Sequence, residues 1–175
     1  TPEVLVEEIK DVQGKLIKRI TYKPDEFGDT GKIEANFLNG KLHGEYLRWY
    51  PSGNKEMQIN YSNGKLNGIA LVWFENTLKE FEMNFVQDTL NGLSQSWWND
   101  YKHSKHYELN YKMGNIEGDF FMTDIYGYEC KGKFEDEKFI SNTSPTFYID
   151  IDIDILESFY DRLYGTDLLG NRKER

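Results

Sequence analysis

The sequence predicts a mainly β fold: a single-layer antiparallel β-meander of hairpin repeats with a C-terminal capping helix. Three observations predict it. A glycine-punctuated motif recurs every 24 residues, as Gly40-Lys41-Leu42-His43-Gly44, Gly64-Lys65-Leu66-Asn67-Gly68 and Asp88-Thr89-Leu90-Asn91-Gly92, then two residues late as Gly114-Asn115-Ile116-Glu117-Gly118. Between the motifs apolar and polar residues alternate with period two, the mark of a strand with one buried face. Turn formers, Pro51-Ser52-Gly53-Asn54 and Asn63-Gly64, separate the alternating stretches.

Taken in order, Val4–Tyr22 is expected to supply a first hairpin. Each full repeat then contributes two strands. The first carries an aromatic pair, Trp49-Tyr50, Trp73-Phe74 or Trp97-Trp98, beginning five residues after the second glycine. The second reads apolar, polar, apolar, Asn, aromatic: Ile33 to Phe37, Met57 to Tyr61, Phe81 to Phe85 and Tyr107 to Tyr111. The two-residue insertion is placed around Asp100–Ser104, and a degraded copy, Cys130 to Phe134, closes the series. Roughly ten strands follow, about 45–50 Å of sheet at ~4.8 Å per strand. Gly31 is expected to open a shortened strand, and the copy at Thr123-Asp124 lacks its aromatic pair, so both ends are expected to be irregular. One hairpin cannot bury its own apolar face; stacked neighbours must do so. Phe37, Tyr61, Phe85 and Tyr111 are expected to form one ladder along the sheet and Trp49, Trp73 and Trp97 another.

The C-terminal segment differs. Phe147, Ile149, Ile151, Ile153 and Ile155 alternate with Asp150, Asp152 and Asp154, which reads as a strand with an acidic outer face or an extended lead into a helix. Leu156, Phe159, Tyr160, Leu163 and Tyr164 then fall on one helical face, ended by Gly165. The expected division is a repeat array over residues 1–139 and an acidic segment with its capping helix over 140–175.

Composition narrows the function. Thirty Asp and Glu against 21 Lys and Arg give a net charge of -9, which argues against a nucleic-acid backbone or an anionic membrane as the main partner and favours a basic protein. One cysteine excludes a disulfide framework, and no apolar run nears the ~20 residues that span a bilayer. Thr1 in place of a start Met reads as a trimmed chain. No signal segment is visible, and a cytoplasmic location is expected.

Candidate chemistry is sparse. Asp150-x-Asp152-x-Asp154 has the spacing of a calcium loop, but Ile155 stands where such a loop needs glycine and Asp161 where it prefers glutamate. His103 and His106, three apart, would face opposite sides of a strand and lack further ligands in sequence. His43 fills a turn slot held by Asn or Glu in other copies and is expected to be exposed and replaceable. Cys130 is expected to be a buried, inert thiol. No Ser/His/Asp or Cys/His set and no phosphate-cradling loop stands out, so neither an enzyme nor a cofactor is expected.

The repeats from about Gly14 to Phe139 resemble the MORN repeat in its bacterial form: Asn-Gly-Lys-Leu-x-Gly, an aromatic pair, then Tyr or Phe before the next Asn-Gly. The resemblance implies hairpin repeats and, from some members of that variant, an immunity or antitoxin role. The expected function is thus a non-catalytic protein-binding module that neutralises a cognate bacterial toxin, a basic protein, by direct contact. The alternative is a structural scaffold or a membrane-associated MORN repeat protein. The expected contacts are the acidic cluster Asp150, Asp152, Asp154, Glu157 and Asp161, the column Glu34, Glu82 and Glu108, and the indoles of Trp49, Trp73 and Trp97 as anchors.

Overall fold

The computed structural model describes residues 4–24, 29–135, 138–140 and 151–164. Fourteen strands form one open sheet: β1 (Leu5–Lys10), β2 (Leu16–Pro24), β3 (Thr30–Leu38), β4 (Lys41–Trp49), β5 (Lys55–Ser62), β6 (Lys65–Trp73), β7 (Lys79–Val86), β8 (Thr89–Leu90), β9 (Gly92–Trp97), β10 (Lys105–Lys112), β11 (Asn115–Ile116), β12 (Gly118–Thr123), β13 (Glu129–Glu135) and β14 (Lys138–Ile140). They pair antiparallel in chain order, with the short β8 beside β7 and β11 beside β10. These two are the first residues of rungs interrupted at Asn91 and Glu117, where β4 and β6 run unbroken. Among the described residues the sheet therefore has twelve rungs, where about ten were expected.

At the ends β1 and β2 pair with a register shift at Ile9/Lys10, and β13 and β14 pair over three residues. Gly31 does not open a shortened strand; β3 is nine residues long and Gly31 pairs with Lys23. Glycine is needed there because a Cβ would stand 3.0 Å from the Trp49 carbonyl oxygen. At the other end β12 and β13 pair over six successive residues without a slip.

The signature of the repeat has a geometric cause. In every copy the second glycine lies opposite the closing aromatic: Gly44 with Tyr61, Gly68 with Phe85, Gly92 with Tyr111 and Gly118 with Phe134. A ring can lie over a residue that has no side chain. At Gly68 the backbone also takes φ +98° and the ladder slips beside it; Asn60 repairs the slip, its Nδ2 donating to the Ile69 carbonyl at 3.2 Å. Asn36 and Asn84 repeat this bond to Glu45 and Leu93.

One face of the sheet forms the core. Met57, Val72, Met83 and Leu109 are wholly buried there, with Ile59, Tyr61, Phe85, Tyr107 and Tyr111 beside them. Tyr61, Phe85 and Tyr111 form the buried part of the expected aromatic ladder, while Phe37 is only half-buried. Cys130 is a buried free thiol, and burial pushes its pKa up.

Successive hairpins are also stitched together. The Gly64 amide donates to the Leu42 carbonyl, Asp88 to Leu66 and Gly114 to Leu90, at 2.7–2.9 Å. One residue earlier, the Asn63 amide donates to Nδ1 of His43, Gln87 to Oδ1 of Asn67 and Met113 to Oδ1 of Asn91. His43 is therefore half-buried rather than exposed, and it holds the next turn by the bond that Asn67 and Asn91 make in the later copies.

Two kinds of turn alternate. Asn39-Gly40 and Asn63-Gly64 are two-residue turns with both φ angles positive, the geometry that matches strand twist. The other turns close over five residues, as from Tyr50 to Asn54, with Gly53 at φ +87°. From Trp98 to Ser104 the same turn spans seven, so the insertion sits there. Thr77 takes the place of Gly53 in its repeat, at φ +71°. A β-branched residue is strained in that region. Thr77→Gly is expected to raise the unfolding free energy by about 0.5–1 kcal/mol, and Gly53→Thr to lower it by about 1–2 kcal/mol, in urea titrations.

The chain divides into two compact units, Thr1–Thr143 and Ser144–Arg175. The second contains α1 (Ile151–Tyr164), in which Ile155, Phe159, Tyr160 and Leu163 are buried. The alternation through Ile155, read as a strand or as an extended lead into a helix, is helical from Ile151, while Phe147, Ile149 and Asp150 lie outside the described residues. Ile155 is one turn before Phe159 and extends the same helical stripe, and acidic residues in a first turn suit the helix dipole. Among the described residues no helix is long and apolar enough to cross a membrane.

Candidate functional site

The face opposite the core carries every sheet residue expected to bind a partner. Register brings them together: Glu34 pairs with Leu47 and Lys32 with Trp49, Leu71 with Glu82 and Trp73 with Lys79, Gln95 with Glu108 and Trp97 with Lys105. A tryptophan row and a glutamate row therefore run side by side across the strands. In the Asn row, paired with Asn84 and Asn110, stand Ile69 and Leu93, 45% and 37% exposed.

A third row, of lysines, was not anticipated. Lys32, Lys55, Lys79 and Lys105 alternate with the half-buried indoles from strand to strand. The Lys32 ammonium lies 4.4 Å from the Trp49 ring centre, Lys55 5.8 Å from Trp73, and Lys79 and Lys105 5.3 and 6.0 Å from Trp97. Each such contact contributes about 0.5–1 kcal/mol near a surface.

The same lysines meet the carboxylates. Glu34 accepts from Lys18 at 2.6 Å and Lys32 at 2.7 Å, Glu82 from Lys79 at 2.6 Å, and Glu108 from Lys105 and from Gln95. Hydrogen bonds from Lys18 and Lys32 hold Glu34 below the usual carboxylate range, and those from Lys105 and Gln95 do the same for Glu108. The glutamate row is thus charge-compensated rather than bare. At half-exposed positions such pairs fix the arrangement of the face more than they stabilise it.

The face ends in a histidine–indole cluster. His103 is in the inserted turn rather than on a strand; its Nε2 is 2.6 Å from the Lys79 carbonyl and its ring stacks on Trp97 at 5.6 Å. His106 is the bulge residue of β10, where the register skips from Lys105 to Tyr107, and its ring lies 3.8 Å from that of Trp98. Burial lowers the His106 imidazole to about 4. The folded protein thus holds the ring neutral while the unfolded chain protonates it near pH 6.5. Stability from this residue is intact above pH 6.5, falls as pH drops toward 4, and changes little below. At ~1.4 kcal/mol per pH unit, discounted for the exposed part of the ring, the loss is about 1–2 kcal/mol. His106→Phe is expected to flatten stability between pH 6.5 and 4.5 in urea titrations; the loss of Glu34 and Glu108 pairing below that range remains.

The acidic cluster of the C-terminal unit divides. Glu157 and Asp161 are exposed one turn apart on α1, Asp152 and Asp154 lie in its first turn, and Asp150 lies outside the described residues. Among the described residues no three His, Cys, Asp or Glu side chains converge to hold a metal ion. The chain matches no protein-family model and no curated protein.

Proposed function

We propose that the chain is a non-catalytic binding protein that grips a basic protein partner with the Trp–Lys–Glu face, in the manner of an immunity or antitoxin protein neutralising a toxin. One observation carries this reading. Ile69 and Leu93 stand exposed in the middle of a face already lined by half-buried Trp73 and Trp97, an amphipathic patch of the composition found at protein interfaces. The net charge of -9 would speed encounter with a basic partner and oppose an acidic one. The resemblance of the repeats to bacterial MORN variants supports the same role.

The test is capture followed by rescue. The protein that co-purifies from the source organism is identified and expressed alone in a test host. It is expected to stop growth, and co-expression of this chain to restore it. Ile69→Asp with Leu93→Asp, on the face away from the core, is expected to keep the fold and lose most of the rescue. A harmless captured protein, or full rescue by the double variant, would rule the proposal out.

A further inference from the structure

The tryptophan–lysine alternation breaks at one repeat. Trp49 pairs with Lys55, Trp73 with Lys79 and Trp97 with Lys105. In the next copy Thr123 holds the tryptophan's place, five residues after the second glycine, and its partner is Glu129. The register slip that accompanies the other three pairs is missing here. The neighbouring row reverses as well: Lys131 lies opposite Phe121, in line with Glu82 and Glu108. Where other repeats present an indole and a cation, this one presents a small side chain and a carboxylate.

A threonine in an indole's place leaves room. An open cavity of about 340 Å³ lies there, lined by Trp98, Phe121 and Thr123 and by Asp100, Asp124 and Glu129. Thr123 is locked in position, its Oγ1 accepting from Trp98 Nε1 at 3.2 Å and donating to the Lys105 carbonyl at 2.7 Å. Lys105 also reaches the wall, but its ammonium is held by Glu108. Lys131 bonds Glu129 at 2.7 Å with both side chains more than half exposed, a pair that exchanges readily for another cation.

The rim is unlike the rest of the sheet margin. Tyr101, Ile125, Tyr126 and Tyr128 are 92%, 70%, 79% and 71% exposed on the two turns flanking the cavity. The equivalent turn of an earlier repeat carries Glu75, Asn76 and Thr77. Tyrosines on loops supply large contact area at low entropic cost.

We propose that this slot docks a basic segment of a partner protein, an arginine or lysine side chain entering beside Trp98 and Phe121 against the carboxylate of Glu129 while the exposed tyrosines close around it; Asp124, whose Oδ1 accepts from the Tyr126 and Tyr128 amides, holds the turn that carries them. Elsewhere along the row the chain provides both ring and cation. Here the chain's own cation, Lys131, lies 5.3 Å from the Phe121 ring centre and on Glu129 at exposed positions, and a partner's guanidinium, which spans ring and carboxylate at once, takes its place. The inference rests on the reading of the chain as a protein-binding module and names the partner's chemistry at one place.

The test is an NMR titration of the full chain with a short Gly/Ser peptide carrying one arginine, and with the same peptide carrying uncharged citrulline. The arginine peptide is expected to shift the Trp98 indole N–H and the amides of 124–129 saturably at millimolar concentration, and citrulline to bind at least about tenfold more weakly. Glu129→Lys, at an exposed site, is expected to weaken the arginine peptide by about tenfold or more without changing the fold. Thr123→Trp, which refills the slot, is expected to abolish binding. Equal binding of citrulline, indifference to Glu129→Lys, or no shift at these signals would overturn the proposal. Full growth rescue by Glu129→Lys would overturn it while leaving the broader binding role standing.

Discussion

Phe85→Ala is expected to lower the unfolding free energy by about 3–5 kcal/mol, which denaturant titration would show as a shifted midpoint with little change in slope. Phe85 is 2% exposed and lies over Gly68, so no neighbouring Cβ can move in to fill the space. The buried face also passes Met83 on the same strand and Ala70 on the next, so the cavity opens at the middle of the array. Phe37→Ala is the control: its ring is half-buried, with the Arg19 guanidinium 5.5 Å from its centre, and its loss is expected to cost about 1–2 kcal/mol. If the two substitutions proved equally mild, ring burial over the glycines would not be what holds the repeats together.

Arg48→Leu is expected to cost about 2–4 kcal/mol, while Arg48→Leu with Glu56→Leu recovers most of it. Arg48 forks onto Glu56, Nε to Oε2 at 3.0 Å and Nη2 to Oε1 at 2.8 Å, and the two side chains are only 20% and 11% exposed. Glu56 is the bulge residue between Lys55 and Met57. Removing the guanidinium takes the forked ion pair from a largely buried carboxylate; removing both leaves two apolar side chains on the core face. A thermodynamic cycle over the four proteins measures the coupling, and additive costs would show that the pair acts only through volume.

The ring ladder behind Phe85 was legible in the sequence; the Arg48–Glu56 pair was not. The period, the hairpins and the insertion at Asp100–Ser104 were legible because each rests on local chemistry: turn residues, alternation, and a spacing counted along the chain. The pairing of each second glycine with the closing aromatic was encoded in the same spacing, seventeen residues from Gly44 to Tyr61 and from Gly68 to Phe85. The lysine row was hidden by parity. Lys55 and Gln58 are three apart, and plain alternation puts such residues on opposite faces; they share one, joined by a 3.0 Å hydrogen bond, only because the bulge at Glu56 shifts the phase. The bulge at His106 does the same for Lys105 and Glu108. At the C-terminus the isoleucine alternation of 149–155 and the helical stripe of 155–164 overlap at Ile155, and over so short a run period alone does not choose between them. The Tyr-rich rim was illegible for another reason: nothing in a turn's sequence says which side chains its neighbours leave uncovered.

The junctions between hairpins repeat the same two bonds, from Leu42 and His43 to the next turn, from Leu66 and Asn67, and from Leu90 and Asn91. Each 24-residue unit spans an even number of crossings, so the chain leaves it with the same side up as it entered. Loss or duplication of one whole unit, as replication slippage would produce, leaves both flanking surfaces aligned and every joint intact. Descendants of one ancestral gene can therefore differ in reach along a target, one module at a time, without passing through a broken intermediate.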